Sequence, residues 1–369
     1  KISGIKENDF SMVFGFPGKT EQYLTSNAVN NYLNKILPAR IEMRKNSLKH
    51  VDLAMDLNES NYIKYASKQS RVSNAYKKWI GQDLGLRKKK AIEKKQIEEQ
   101  IWKRKNTSNN ELLNKLFVLE NNKIKYQLAY SLFIELWYYG PEIIRFSNGF
   151  EKLKSVDDFS KEIKKKQKNI AGYFKNYDVN VDENIFKSLL PIYLKHLNDN
   201  LESESLNDII SEFSNTDHFV ENLYNKSHLT TLEDSKNILQ LSHKKYLKFL
   251  QKDPAIKFSK ELYRHFTDII LPKYRGFEQE HQLLMKKYLK SLMESNTNKV
   301  FFADANSTMR LSYGKVEGSM PRDGMSYSWF TTIDGIIDKF NTTNKIGWQE
   351  RDVLIQFISE TKVFQAYSK

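Results

Sequence analysis

Through the middle of the chain, apolar residues return at helical intervals. Leu112, Leu113, Leu116 and Leu119, and then Leu239, Tyr246, Leu247 and Leu250, recur at three-, four- and seven-residue steps with mostly polar residues between them, the pattern of helices with one apolar face. Such helices must bury that face against one another. Glycine agrees, because it costs roughly 1 kcal/mol inside a helix but is at home in turns and close-packed strands. Between residues 19 and 313 it occurs only as Gly81, Gly85, Gly140, Gly149, Gly172 and Gly276, whereas both ends are rich in it. At the front, Phe10-Ser11-Met12-Val13-Phe14-Gly15-Phe16-Pro17-Gly18 predicts a buried strand running into a tight turn. Toward the far end, Met309, Leu311 and Tyr313 alternate with Arg310, Ser312 and Gly314, the period of a half-buried strand. Val300-Phe301-Phe302 predicts another strand, with Asp304 and Asn306 as turn formers between the two. Strands at either end cannot satisfy their backbone groups alone, so an α+β chain follows, in which one sheet domain is interrupted by a long helical domain.

Composition narrows the class. With 369 residues, 40% hydrophobic and 28% charged, the chain is neither disordered nor fibrous, and it is long enough for two to three domains of about 150 residues. It contains no Cys, which excludes disulfides, a thiolate nucleophile and a Cys-ligated zinc. No uninterrupted apolar run reaches the ~18 residues that span a membrane, so no membrane partner is expected. The chain begins at Lys1 without an initiator Met or a signal-type run, and is expected to be a soluble excerpt of a longer protein.

The net charge of +14 raises the question of an anionic partner. Its densest source is Arg87 to Lys105, nine basic residues against three Glu, with Ile92, Ile97 and Ile101 as an apolar stripe. Only Trp102 could stack a base there, and such runs are usually solvated helix faces, so no nucleic-acid partner is expected. The other motifs are weak as well. Gly15 to Thr20 resembles the end of a phosphate loop, but Val13 stands where the first glycine belongs and Pro17 removes an amide donor, leaving a strand-to-helix turn. His265 and His281 with Asp268, Glu278 and Glu280 lack ligand spacing. Ser319 reads as part of a turn between strands rather than as a nucleophile. No metal and no cofactor is expected.

Three blocks carry a resemblance. They are Glu7 to Gly18, then Tyr65-Ala66-Ser67-Lys68 through Arg71-Val72-Ser73-Asn74 to Lys78-Trp79-Ile80-Gly81, and Phe302 to Gly314, extended by Pro321-Arg322-Asp323 and Thr331-Thr332-Ile333-Asp334-Gly335. In order and spacing the chain resembles the bacterial serine dipeptidyl peptidases of the dipeptidyl-peptidase 7 and 11 type, serine peptidase family 46. The resemblance implies a large all-α domain inserted into a chymotrypsin-like double β-barrel: residues 1–20 a barrel strand, 21–297 the helical cap, and 298–369 the start of the second barrel. It implies release of dipeptides from peptides with a free N-terminus, a periplasmic or secreted location, and the option of a homodimer. The catalytic His and Asp are expected upstream of the first strand, and the nucleophilic Ser downstream of Phe364 to Lys369, so no catalytic residue is assigned here, Asp9 included. The 369 residues alone are expected to be inactive.

Recognition of a free α-ammonium needs fixed oxygen acceptors in place of water. The resemblance places such an acceptor on the helical domain at Asn74, which sits in the run Arg71 to Ile80 although Asn is a poor interior helix residue. From the residues alone, Asn74 reads instead as a cap or a solvated side chain. Gly318-Ser319-Met320-Pro321 and Ile346 to Thr361 depart from the family pattern. The alternative class is a non-enzymatic basic helical scaffold that binds nucleic acid or an acidic partner through Arg87 to Lys105.

Overall fold

The structure, a computed structural model, describes residues 4–155, 159–197, 201, 203–335 and 337–338. Ile346 to Thr361 and Phe364 to Lys369 lie outside the described residues. Two units separate: the described parts of Lys1–Gln22 and Phe302–Lys369 form one, and Tyr23–Phe301 the other.

The first unit is built on an antiparallel pair, β1 (Phe10–Gly15) and β2 (Arg310–Lys315), with Phe10 opposite Lys315, Met12 opposite Tyr313 and Phe14 opposite Leu311. Segments almost three hundred positions apart thus share one ladder. A second pair, β3 (Ser319–Arg322) and β4 (Met325–Tyr327), turns at Gly324, whose φ of 70° is left-handed. Three expectations fail here. Val300-Phe301-Phe302 is irregular rather than a strand. Ser319 opens β3 and is not in the turn. The strands are not buried: Phe10, Phe14 and Tyr313 are 69, 63 and 75% exposed, because among the described residues no second layer covers either face of the two-stranded ribbon. Arg310 fastens the segment before β2 by donating from Nη2 to the carbonyls of Ala303 and Asp304, at 2.7 and 2.8 Å.

The second unit is helical. It comprises α1 (Ser26–Asn31), α2 (Leu37–Leu57), α3 (Glu59–Lys88), α4 (Ala91–Lys103), α5 (Thr107–Tyr139), α6 (Glu142–Glu151) and α7 (Phe159–Lys175). It continues through α8 (Val179–His196), α9 (Glu204–Ser211), α10 (Thr216–Lys226), α11 (Leu232–Ile238), α12 (His243–Lys252), α13 (Pro254–His265) and α14 (Leu271–Ser295). Asn58, Asn106, Asp178 and Asp253 cap α3, α5, α8 and α13 by accepting from amides of their first turns. Single π turns, Tyr32–Ile36 and Phe266–Ile270, precede α2 and α14, and in each the amide of the following Leu donates to the carbonyl five residues back. The cause is Leu37-Pro38 and Leu271-Pro272, since a proline ring clashes with the carbonyl four residues earlier and the helix widens to clear it.

Packing follows the sequence period. Leu113 and Leu116 of α5 meet Trp102 of α4 and Tyr288 of α14, and Val29, Leu33 and Leu37 meet Trp79 of α3. The run from Leu239 to Leu250 is two elements rather than one. Leu239 follows α11, whereas Tyr246, Leu247 and Leu250 lie on α12 around a core with Phe150 and Ile256.

Candidate functional site

Asn74 lies in the middle of α3, exposed, so it is not a helix cap. The helix turns alternate faces to the core and to solvent: Val72, Ser73 and Trp79 are buried, while Arg71, Asn74, Lys77 and Lys78 are exposed. Residues three and four apart share a surface on a helix, so the amide of Asn74 stands among three cations. An ammonium docked at its Oδ1 would feel their repulsion, and needs further acceptors from elsewhere. On α2, Asp52 accepts from Gln69 Nε2 at 3.1 Å, and burial pushes its carboxyl up from the usual range while Lys77 opposes the shift.

Behind this face the backbone of α3 is gripped. Arg44 of α2, 2% exposed, donates from Nη1 to the carbonyls of Val72 at 3.0 Å and Arg71 at 3.4 Å. Its Nε donates to Glu135 of α5, and its guanidinium lies 3.7 Å from the ring centre of Tyr139 and 4.9 Å from that of Trp79. Arg40 donates to the same carboxylate from Nε and Nη2, at 3.0 and 2.6 Å, and covers Trp79 at 4.1 Å. Sequence reasoning passed over this group. The signal was an arginine set into the apolar stripe of α2 between Met43 and Leu48, since a cation there needs a buried carboxylate partner.

A second buried carboxylate, Asp182 of α8, caps the N-terminus of α6 from another helix. It accepts from the amides of Glu142 and Ile143, at 2.6 and 3.0 Å, and from Tyr224 Oη at 2.7 Å. Burial and the Glu142 carboxylate push its pKa up to about 7.

The remaining chemistry is structural. His50 Nε2 and Ser188 Oγ stand 2.5 Å apart, a base and a hydroxyl in contact, but both lie inside helices whose amides are consumed by the i to i−4 ladder, leaving no donors for an oxyanion. Burial also pushes His50 down. His281 meets Glu120 at 3.2 Å, and no group of His, Asp and Glu among the described residues could hold a metal ion. Thr20 Oγ1 donates to Asp304 at 2.8 Å and accepts from the amide of Ala305 at 2.8 Å, so this hydroxyl serves the fold. Asp9 accepts from the amide of Lys6 in the turn before β1. Arg87 to Lys105 is no single face: Lys90, with a left-handed φ of 50°, breaks it between α3 and α4. Arg87 is occupied by Asp83 and Asn34, Lys105 by Ser295 and Asn296, and Glu99 accepts from the amide of Ser26 at 2.6 Å. Among the described residues no helix is long and apolar enough to cross a membrane.

Comparison with known proteins gives three findings. The model of the Peptidase S46 family matches residues 1–367. An Asp/Glu-specific dipeptidyl-peptidase of Capnocytophaga gingivalis is 33% identical over 354 residues, covering 92% of this chain and 49% of that protein, and a dipeptidyl-peptidase 7 of Porphyromonas endodontalis is 26% identical over 357 residues, covering 93% and 42%. The crystal structure of Porphyromonas endodontalis DPP11 in complex with the dipeptide Arg-Glu matches with a TM-score of 0.78 at 20% identity, over 96% of this chain and 52% of that one. The likeness to that structure is one of fold. The chain spans about half the length of the curated relatives it matches.

Proposed function

Because the chain belongs to the peptidase S46 family, we propose that it is the internal part of a serine exopeptidase that releases dipeptides from peptides with a free N-terminus. In this reading the pairs β1–β2 and β3–β4 belong to a chymotrypsin-like double β-barrel, and Tyr23–Phe301 is the helical insertion. The ladder that joins residues near 12 and 313 supports it, since a sheet shared across so long an interval is what an insertion leaves behind. The triad lies on segments outside these residues, which alone release no dipeptide. A serine attacks the carbonyl with histidine as base, aspartate orients the histidine, and backbone amides hold the oxyanion. In this reading the protein is periplasmic or secreted, and a homodimer is an option.

The helical insertion contributes Asn74. Its Oδ1 accepts from the substrate α-ammonium, which fixes the distance from the N-terminus to the scissile bond and so the dipeptide product. The carrying observation is the placement of this amide, exposed at mid-helix on a turn whose inner carbonyls are held by Arg44. A hydrogen bond to a charged group is worth about 1.5–3 kcal/mol, so in the full-length protein Asn74→Ala is expected to lower kcat/KM on dipeptidyl substrates by about 10- to 100-fold, chiefly through KM. Unchanged steady-state kinetics in a correctly folded Asn74→Ala enzyme would remove Asn74 from the site.

A further inference from the structure

We propose that Arg44 is a positioning residue for substrate recognition: with Glu135 it sets the axial position and rotation of α3, and thereby where Asn74 presents its amide. The inference rests on the reading of Asn74 as the ammonium acceptor. Helical carbonyls ordinarily accept from one amide, four residues on. Those of Arg71 and Val72 also receive Nη1 of Arg44, at 3.4 and 3.0 Å, on the turn that leads into Asn74. The guanidinium is itself fixed on its other sides, by the Glu135 carboxylate and by the rings of Tyr139 and Trp79. A planar fork held at three points transmits position, because it can neither slide along α3 nor rotate.

Stability is a poor account of this group. A buried ion pair costs desolvation on both charges, and a well-packed apolar replacement often serves stability equally well. Glu135 would keep a paired charge without Arg44, since Arg40 donates to its Oε1 from two nitrogens, although Oε2 would lose its bond from Nε of Arg44. What Arg44 adds is the reach into α3, where one face carries the candidate acceptor.

The test is a double-mutant cycle in the full-length enzyme, with a chromogenic dipeptidyl substrate, comparing Arg44→Met, Asn74→Ala and the pair. Arg44→Met is expected to raise KM about tenfold, the scale of a misplaced binding group, with kcat within about twofold. In the Asn74→Ala background the same change is expected to leave KM unaltered, since the group that it positions is gone. Equal factors in both backgrounds, or an Arg44→Met effect confined to thermal stability, overturn the proposal while leaving Asn74 in place. A neutral Asn74→Ala overturns the reading beneath it. If Arg44→Met does not fold, Arg44→Lys is the second variant. It keeps a positive charge beside Glu135, but its single ammonium lacks the fork that spans the carboxylate and the Val72 carbonyl, so the same rise in KM and the same coupling to Asn74 are expected; parental kinetics in Arg44→Lys overturn the proposal.

Discussion

At the scale of the residue, the two charges that matter most are those the fold hides. Asp182 is 2% exposed and holds its proton up to about pH 7, because burial and the neighbouring Glu142 carboxylate disfavour its charged form. In the unfolded chain the same group loses its proton near pH 4. Between those values the folded state binds more protons than the unfolded one, so this group makes stability fall as pH rises from about 4 to about 7, by at most ~1.4 kcal/mol per pH unit, and adds no further slope above that. Asp182→Asn cannot titrate; it keeps one acceptor oxygen, where Asp182 offers Oδ1 to the amide of Glu142 and Oδ2 to that of Ile143, so it lowers stability at every pH while removing this slope. Urea midpoints measured from pH 4.5 to 7.5 are expected to decline less steeply in Asp182→Asn than in the parent; parallel declines would show that Asp182 ionises normally. Neither Asp182 nor Glu135 was legible beforehand. A carboxylate inside an apolar run, as Glu135 is between Phe133 and Leu136, announces burial, but its partner comes from another helix and sequence spacing does not give that pairing. Asn74 was legible only through the family motif around it, since an exposed mid-helix Asn looks like any solvated polar residue.

At the scale of the element, glycines divide cleanly by what surrounds them. Gly140 ends α5, and a β-carbon there would lie 2.4 Å from the carbonyl oxygen of Leu136, a backbone atom that cannot step aside alone. Gly172, inside α7, has nothing within 4 Å of the same construction. Gly140→Ala is therefore expected to destabilise the protein by about 1–3 kcal/mol through forced backbone shifts. Gly172→Ala is expected to stabilise it by up to about 1 kcal/mol through helix propensity. Denaturant midpoints of the two variants check the contrast, and equal effects would mean that the end of α5 relaxes freely. Helices such as α5 were legible because their period is local and repeats over several turns. The π turns were not read, although Ile-Leu-Pro closes both, because a proline ring can equally well end a helix. The burial of β1 was misjudged for a different reason. Phe10, Met12 and Phe14 alternate as a covered strand should, but alternation reports which face is apolar and says nothing of whether a second layer is present.

At the scale of the whole chain, the helical unit holds together through its own contacts. The cluster of Trp102, Leu113, Leu116 and Tyr288, the cluster of Val29, Leu33, Leu37 and Trp79, and the one around Phe150, Tyr246 and Ile256 all lie within Tyr23–Phe301. Its two ends are neighbours, with the rings of Tyr23 and Phe301 centred 5.8 Å apart. The first helix is tied in by Thr25 Oγ1, which donates to Glu120 of α5 at 2.7 Å, and the last by Tyr288, packed edge-on against Trp102 at 4.9 Å. A segment with its own cores and adjacent ends meets the physical conditions for a domain inserted into a sheet, because it can leave and rejoin two hydrogen-bonded strands without pulling them apart. The β1–β2 ribbon is the opposite case: Phe10, Met12, Phe14, Leu311 and Tyr313 are all exposed, and a two-stranded ribbon is at best marginally stable in water. Residues 23–301 expressed alone are thus expected to show helical circular dichroism and one cooperative thermal transition, whereas residues 4–22 joined to 302–335 by a short linker are expected to show neither cooperative melting nor dispersed amide resonances. A gradual, non-cooperative melt of the 23–301 fragment would mean that its helices depend on the sheet segments for their packing, and the insertion reading would lose its physical basis.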